Sequence, residues 1–390
     1  MVSNNIGNVL KKYTMVIALV VIIGIFYVGT NGTILLSQNI NNLLSQNAYV
    51  FVLATGMLLC ILTGGNIDLS VGSVVCFVGG IGAVLMSKGV NVWITVIAML
   101  LVGVLIGAWQ AFWVAYINVP PFIATLAGMY AFRGLSNVVL NGYAVAISNK
   151  TYLNVFGGGA DCYVPDFLGS NPDFNITCMV AGVVAVVIFV LLQVKNRISA
   201  TKKGYVTSGA AGFYARLVII SAVILFMAYK LAGYKGIPSS LLWIILIVLV
   251  YNYVTTKTTI GRYLYAVGGN EKATQLSGIN TKKVYFFAYT NMGFLAAFAG
   301  ILTVARAASA QPTYGQFYEM DAIGACFIGG ASAYGGTGSV FGAIIGALLM
   351  GVINQGMLIM GVDANYQKVV KGLVLLAAVI FDVMSKREKK

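Results

Sequence analysis

The chain contains no histidine, and only ten of its 390 residues are acidic. The first absence excludes a histidine-based zinc site, a Ser-His-Asp triad and a histidine proton relay. No GxxxxGKS or GxxxxGKT segment occurs, so there is no P-loop to cradle a nucleotide, and work that needs ATP must be driven by another subunit. Charge of either sign is scarce, at 9% of residues against roughly a quarter in a soluble domain. The five cysteines show neither CxxC nor a metal-ligand spacing.

What fills the chain instead is apolar: 59% of residues are hydrophobic and the mean hydropathy is +0.89. Many runs approach the roughly 20 residues that cross a bilayer as helix, the form that satisfies its own backbone hydrogen bonds in lipid. The expected fold is an all-α polytopic membrane protein without a separate soluble domain. Candidate spans lie at 14–29, 47–63, 71–87, 92–117, 122–140, 177–194, 212–231, 238–255, 284–305, 321–333, 338–360 and 366–384. The segments beside Gly64–Ser73 and Gly329–Ser339 are short and glycine-broken, which leaves re-entrant or half-helical forms open and gives about 10–12 transmembrane helices in all.

A formal charge of +14 invites a nucleic-acid reading, which the distribution excludes. Fifteen of the 24 basic residues fall in four clusters at the ends of apolar runs: around Lys11, around Lys195–Lys203, between Lys257 and Lys283, and at Lys386–Lys390. Positive charge in short loops marks the cytoplasmic face, so both termini are expected inside. Segment 141–176, with Asp161, Asp166 and Asp173 against Lys150, reads as an external loop. The first span has no small-residue cleavage pattern after it and is read as a retained helix. Cys60, Cys76 and Cys326 read as small packing residues; Cys162 and Cys178 flank the external loop, where an oxidising side would allow them to pair.

Polar chemistry within the apolar sequence concentrates in GGNIDLSVGS, residues 64–73. Asp68 is the one acid clearly inside an apolar stretch, with Asn66, Ser70 and Ser73 as hydrogen-bond partners. It either caps the helix that continues through Met86 or touches a transported solute. VGSVVCFVGGIGAVLM (71–86) is echoed by TGSVFGAIIGALLM (337–350), each after a glycine pair, as in an internal repeat or in any two closely packed small-residue helices. Arg133 and Arg306 near span ends either snorkel or line a polar path. Tyr314, Phe317 and Tyr318, in the polar run 311–321, read as interfacial anchors. In loop 256–283, Asn270 is placed to cap a short amphipathic helix through Glu271, Ala273, Gln275 and Leu276 that Gly278 ends. Such a helix either docks in a cleft of a partner protein or lies on anionic lipid.

Taken together, GGNIDLSVGS, VPPFIATLAGMYAFRGL (119–135), GRYLYAVGGNEKATQLSGIN (261–280) and GGASAYGGTGSVFGAIIGALLMGVINQGM (329–357) resemble the permease of a bacterial ATP-binding-cassette (ABC) sugar importer. The likeness is to the ribose, xylose and galactose permease family, most of all to the branch serving xylose and multiple monosaccharides. It implies the ABC importer permease fold over 1–390 and residence in the bacterial cell membrane. It also implies a transport subunit with no cofactor or metal and no covalent chemistry of its own. The implied partners are a second permease copy in a homodimer, a cytosolic ABC ATPase and an extracytoplasmic sugar-binding protein, with membrane lipid around them.

By position, Asn270, Glu271, Ala273, Leu276 and Ser277 carry over as the helix that couples to the ATPase. Asn66, Asp68, Ser70, Ser73, Thr125 and Gln355 carry over as the translocation path. The implied cargo is a monosaccharide of the xylose, galactose, glucose or arabinose type, moved by alternating access, with a nucleoside or autoinducer as the alternative. An ion-coupled carrier needs intramembrane groups that change charge, and an enzyme needs a nucleophile with a base or paired carboxylates.

Overall fold

The structure, a computed structural model, describes residues 2–169, 173–204 and 209–387. Its first helices are α1 (Val2–Gly29), α2 (Ser37–Gln46), α3 (Ala48–Leu62), α4 (Val71–Ser87), α5 (Val92–Ala115) and α6 (Pro121–Leu140). A strand β1 (Val145–Ala146) and helices α7 (Lys150–Phe156), α8 (Ile176–Lys202), α9 (Ala210–Ala232) and α10 (Ser239–Lys257) follow. The last third holds α11 (Thr259–Gly269), α12 (Glu271–Leu276), α13 (Thr281–Ala307), strand β2 (Ser309–Ala310), α14 (Tyr318–Ile328), α15 (Val340–Ile359) and α16 (Ala364–Arg387).

Every expected span falls on a helix, because hydropathy and helix-start chemistry agree along the chain. Asn91, Asn175, Thr258, Asn280 and Ser339 each accept a backbone N–H at the first turn of the helix that follows, and Pro121 occupies the first turn of α6. Among the described residues, seven helices are long and apolar enough to cross a membrane. The bent pair α2–α3 makes an eighth if it is one span, and Met15–Gly29 and Val71–Ser87 are shorter apolar helices. The span expected at 321–333 is instead the 11-residue α14, about 16 Å long, which two glycines stop well short of a crossing.

The chain divides into two compact units. In the larger, Met1–Ile34 with Leu43–Cys162 and Ser240–Lys390, α13 is the central helix and packs on α5, α3 and α4. Its contact with α5 runs through Gly103, Gly107 and Gly293, where the backbones approach so closely that a methyl on Gly107 would sit 2.7 Å from the Tyr289 carbonyl. A second layer joins α14 to α15, α3 and α16, and β1 pairs antiparallel with β2 through Val145 opposite Ala310. Cys60 and Cys326 are buried in this packing as small side chains.

Asp68 is not the only acid inside. Asp321 on α14 is fully buried, and its Oδ2 accepts from Tyr49 (2.6 Å) and pairs with Lys371 of α16 (2.9 Å). The end of run 311–321 therefore belongs to helix packing and not to an exposed loop, a point hidden because Asp321 and Lys371 lie 50 residues apart.

The smaller unit comprises Leu35–Asn42 and Tyr163–Ser239 and is built on the pairing of α8 with α9. Only Cys178 and Gly182 of α8 are buried; Val187, Ile188, Leu191 and Leu192 are exposed, as lipid-facing residues are. Cys178 carries a free thiol 3.6 Å from the Ala228 carbonyl. Ahead of α8, Asp166 accepts the Thr177 hydroxyl (2.7 Å) and the amides of Ile176, Thr177, Leu168 and Gly169. Those bonds, the Thr177 hydroxyl foremost, hold its carboxyl well below the usual carboxylate range.

Two expectations follow. Lys371→Met leaves the Asp321 carboxylate buried and unpaired and destabilises the protein by about 3–5 kcal/mol, while the double replacement with Asp321→Asn recovers most of the loss, as thermal unfolding in detergent will report. A lowered folded value means that Asp166 stabilises its turn above the unfolded carboxylate value and loses that contribution only as pH falls through the folded one. Amide exchange at Leu168, Gly169, Ile176 and Thr177 should therefore stay slow at about pH 4 in the native chain and become fast in Asp166→Ala.

Candidate functional site

The two glycine-broken segments that the sequence marks lie against each other. At Gly64 (φ 127°) and Gly65 (φ 76°) the backbone takes conformations that side chains resist, and a methyl on Gly65 would collide with the Ala333 carbonyl. Gly335 lies on Gly64, and the Gly336 N–H donates to the Leu62 carbonyl at 3.1 Å. That one bond gives a partner both to the Gly336 amide and to the carbonyl at the end of α3. α4 and α15, the two helices of the sequence echo, start from this junction.

Asp68, buried beside it, accepts the Ser70 amide (2.8 Å) and the Ser70 hydroxyl (2.6 Å) at Oδ1. The cap position of α4 is Ser70, not Asp68; the carboxylate fixes Ser70 two residues on, as in an Asx turn. Gln110 of α5 donates its Nε2 to the Ser70 hydroxyl at 2.6 Å, and Gly128 of α6 leaves room for both side chains. Thr125, one turn before Gly128, is buried on that face and donates to the Pro121 carbonyl. Ser73 is buried one turn into α4. Asn66, half-buried, donates to the carbonyl and hydroxyl of Thr63 (3.3 Å each). These five residues form one neighbourhood at the junction. Gln355 does not join it: it lies 15 residues into α15, about 22 Å along the helix.

Loop 256–283 has the expected cap and one element more. Asn270 Oδ1 accepts the Ala273 amide (2.9 Å), and Gly278 (φ 83°) closes α12. Within that six-residue helix only Thr274 is buried; Glu271, Ala273 and Ser277 are exposed, and Leu276 is 83% exposed. Glu271 accepts the Tyr285 hydroxyl at 3.0 Å, which ties α12 to α13. Ahead of it GRYLYAVGG is not irregular but forms α11, whose Gly261, Leu264 and Val267 are buried in register. Gly268 packs against Leu62 and Gly336, and the Tyr265 hydroxyl donates to the Gly338 carbonyl at 2.9 Å. The exposed helix α12 is therefore one short step from the glycine junction.

Sequence reasoning missed Gln110, Tyr265 and Tyr285, polar side chains in apolar runs whose partners are distant in sequence. Arg133 does not snorkel: its guanidinium donates to the carbonyls of Pro312 (3.1 Å) and Tyr314 (2.6 Å) and pins the chain before α14. Among the described residues, no three Cys, Asp or Glu side chains gather as a metal site requires.

This arrangement has relatives. The chain is 38% identical over 385 residues to the xylose transport system permease protein XylH of Haemophilus influenzae, spanning 97% of this chain and 98% of that one. It is 35% identical over 384 residues to XylH of Escherichia coli K12, spanning 97% and 93%. It is also 34% identical over 378 residues to the ribose import permease protein RbsC of H. influenzae, spanning 97% and 94%. No solved structure matches it. Residues 39–161 and 168–379 match the family described as branched-chain amino acid transport system / permease component. Because that match covers most of the chain and these relatives are more than 30% identical over nearly its whole length, the chain belongs to this family of transport-system permease components.

Proposed function

We propose that the chain is the membrane-spanning subunit of an ATP-driven monosaccharide importer, of the xylose or ribose type, working by alternating access. The observation that carries this reading is similarity over nearly the full length to permeases named for xylose and for ribose. The implied assembly has two permease copies, a cytosolic ABC ATPase and an extracytoplasmic sugar-binding protein, in a bacterial cell membrane. Both termini and loop 256–283 face the cytoplasm in this reading, and segment 141–176 faces outward.

In this reading the stroke travels through packed groups. An ATPase that grips α12 through Leu276 and its exposed neighbours moves α11 with it, and α11 bears directly on the Leu62 and Gly336 junction. From there the Asp68, Ser70 and Gln110 chain reaches α4 and α5. We assign Asn66, Asp68, Ser70, Ser73 and Thr125 to shaping the wall of the path, with Asp68 as an internal tie and not as a sugar ligand. Gln355 belongs to the opposite end of α15. Close glycine contacts with little interlocking let helices slide between discrete arrangements.

Reconstituted with its ATPase and binding protein in proteoliposomes, the permease should accumulate xylose, ribose or another monosaccharide against a gradient only when ATP is supplied. Concentrative uptake by the isolated chain, or uptake of nucleosides in place of sugars, would overturn the proposal. Replacing Glu271 and Leu276 together with alanine should reduce uptake to the level of vesicles lacking the ATPase while the chain remains in the membrane. Normal uptake by that variant would defeat the docking role of α12.

A further inference from the structure

At the far end of α13 from α12 the larger unit holds a cavity of about 450 Å³, within the range of small-molecule sites. Its walls come from three elements: Ser45 and Gln46 at the end of α2 with Tyr49 of α3, Thr303 and Arg306 in the last turns of α13, and Tyr314 with Tyr318 at the start of α14. We propose that this cavity binds one neutral polyhydroxylated ring, the monosaccharide itself, inside the permease; the assignment of cargo rests on the importer reading above.

The lining argues for that chemistry. The residues that line it carry hydroxyls at Ser45, Thr303, Tyr314 and Tyr318 and an amide at Gln46, groups that both donate and accept, as a ring of sugar hydroxyls requires; the Thr303 hydroxyl donates to the Ala299 carbonyl and keeps its acceptor capacity. Tyr49 and Tyr318 stack with centroids 3.6 Å apart and planes within 13°, and they give the cavity aromatic surface for the C–H face of a sugar. No carboxylate lines it, because Asp321 is turned away into its bonds with Tyr49 and Lys371, and Arg306 is the single charge. The Ser45 hydroxyl has a second significance: the residue is 6% exposed, lines the cavity, and makes no hydrogen bond to the protein. A buried hydroxyl left without a protein partner is costly unless something in the cavity supplies one.

Position agrees with chemistry. From Thr281 to Thr303 α13 rises about 33 Å, close to the hydrocarbon thickness of a bilayer, so the cavity and α12 belong to opposite membrane faces. Its site is where sugar arriving from outside enters. Arg133, by fixing the carbonyls of Pro312 and Tyr314, holds the Tyr314 wall in place.

The test combines protection and kinetics. With the Ser45→Cys permease in nanodiscs, modification at position 45 by a methanethiosulfonate reagent, read by mass spectrometry, should be slowed by the monosaccharide that the native complex accumulates. It should not be slowed by phosphate or citrate. In the full complex in proteoliposomes, Gln46→Leu and Thr303→Val should each raise the KM for uptake by about fivefold, the affinity equivalent of one lost hydrogen bond, with copurified ATPase as the check on folding. Wild-type uptake by both variants without sugar protection at position 45 would overturn the site, and protection by the anions instead would overturn its ligand class. If the native complex accumulates no monosaccharide, the importer reading fails, whereas sugar protection at position 45 would still support a sugar site.

Discussion

In lipid a backbone N–H or C=O outside a helix has no water to turn to, and the larger unit has two places where the helical ladder is broken in apolar surroundings. It meets that constraint by laying the breaks together, so that the Gly336 amide finds the Leu62 carbonyl and Gly64 and Gly65 pass within backbone contact of Ala333 and Gly335. Each loop also turns part of its backbone inward, with the Gly65 amide on the Ile61 carbonyl and the Ser332 amide on the Thr337 carbonyl. The closeness demands glycine, since a side chain at Gly65 would occupy the space of a carbonyl. Because α3 and α4 leave one break and α14 and α15 border the other, the first and last thirds of the larger unit are joined there and not only through α13.

What sits on the junction gains mechanical meaning from it. α11 rests its last turn on both loops and carries α12 one residue later, and Tyr265 and Tyr285 hold the ensemble by hydroxyl bonds to Gly338 and Glu271. On the other side, Asp68 ties the start of α4 and passes contact to Gln110. A displacement at the exposed helix has a continuous set of packed groups to travel through.

Features governed by local chemistry were legible from the residues. Eleven of the twelve apolar runs coincide with helices of matching extent, and the cap at Asn270 and the stop at Gly278 are where a short-range rule puts them. Features governed by distant partners were not. Asp321 looks like part of a polar loop until Tyr49 and Lys371 are brought to it, and Arg133 looks like an anchor until two carbonyls from another segment meet it. α11 was hidden by its glycines, which read as loop signals although Gly261 and Gly268 serve close packing, and α14 was over-extended because hydropathy does not register where a glycine pair ends a helix. Of the six residues expected along the path, five share the junction and Gln355 does not, because helix length separates residues that composition treats alike.

The smaller unit occupies an almost unbroken stretch, Tyr163–Ser239, and borrows only Leu35–Asn42 from elsewhere. A stretch whose packing is largely its own can open locally while the rest of the fold stays closed. The glycine junction has no such slack, because even a methyl group at Gly65 would meet the Ala333 carbonyl.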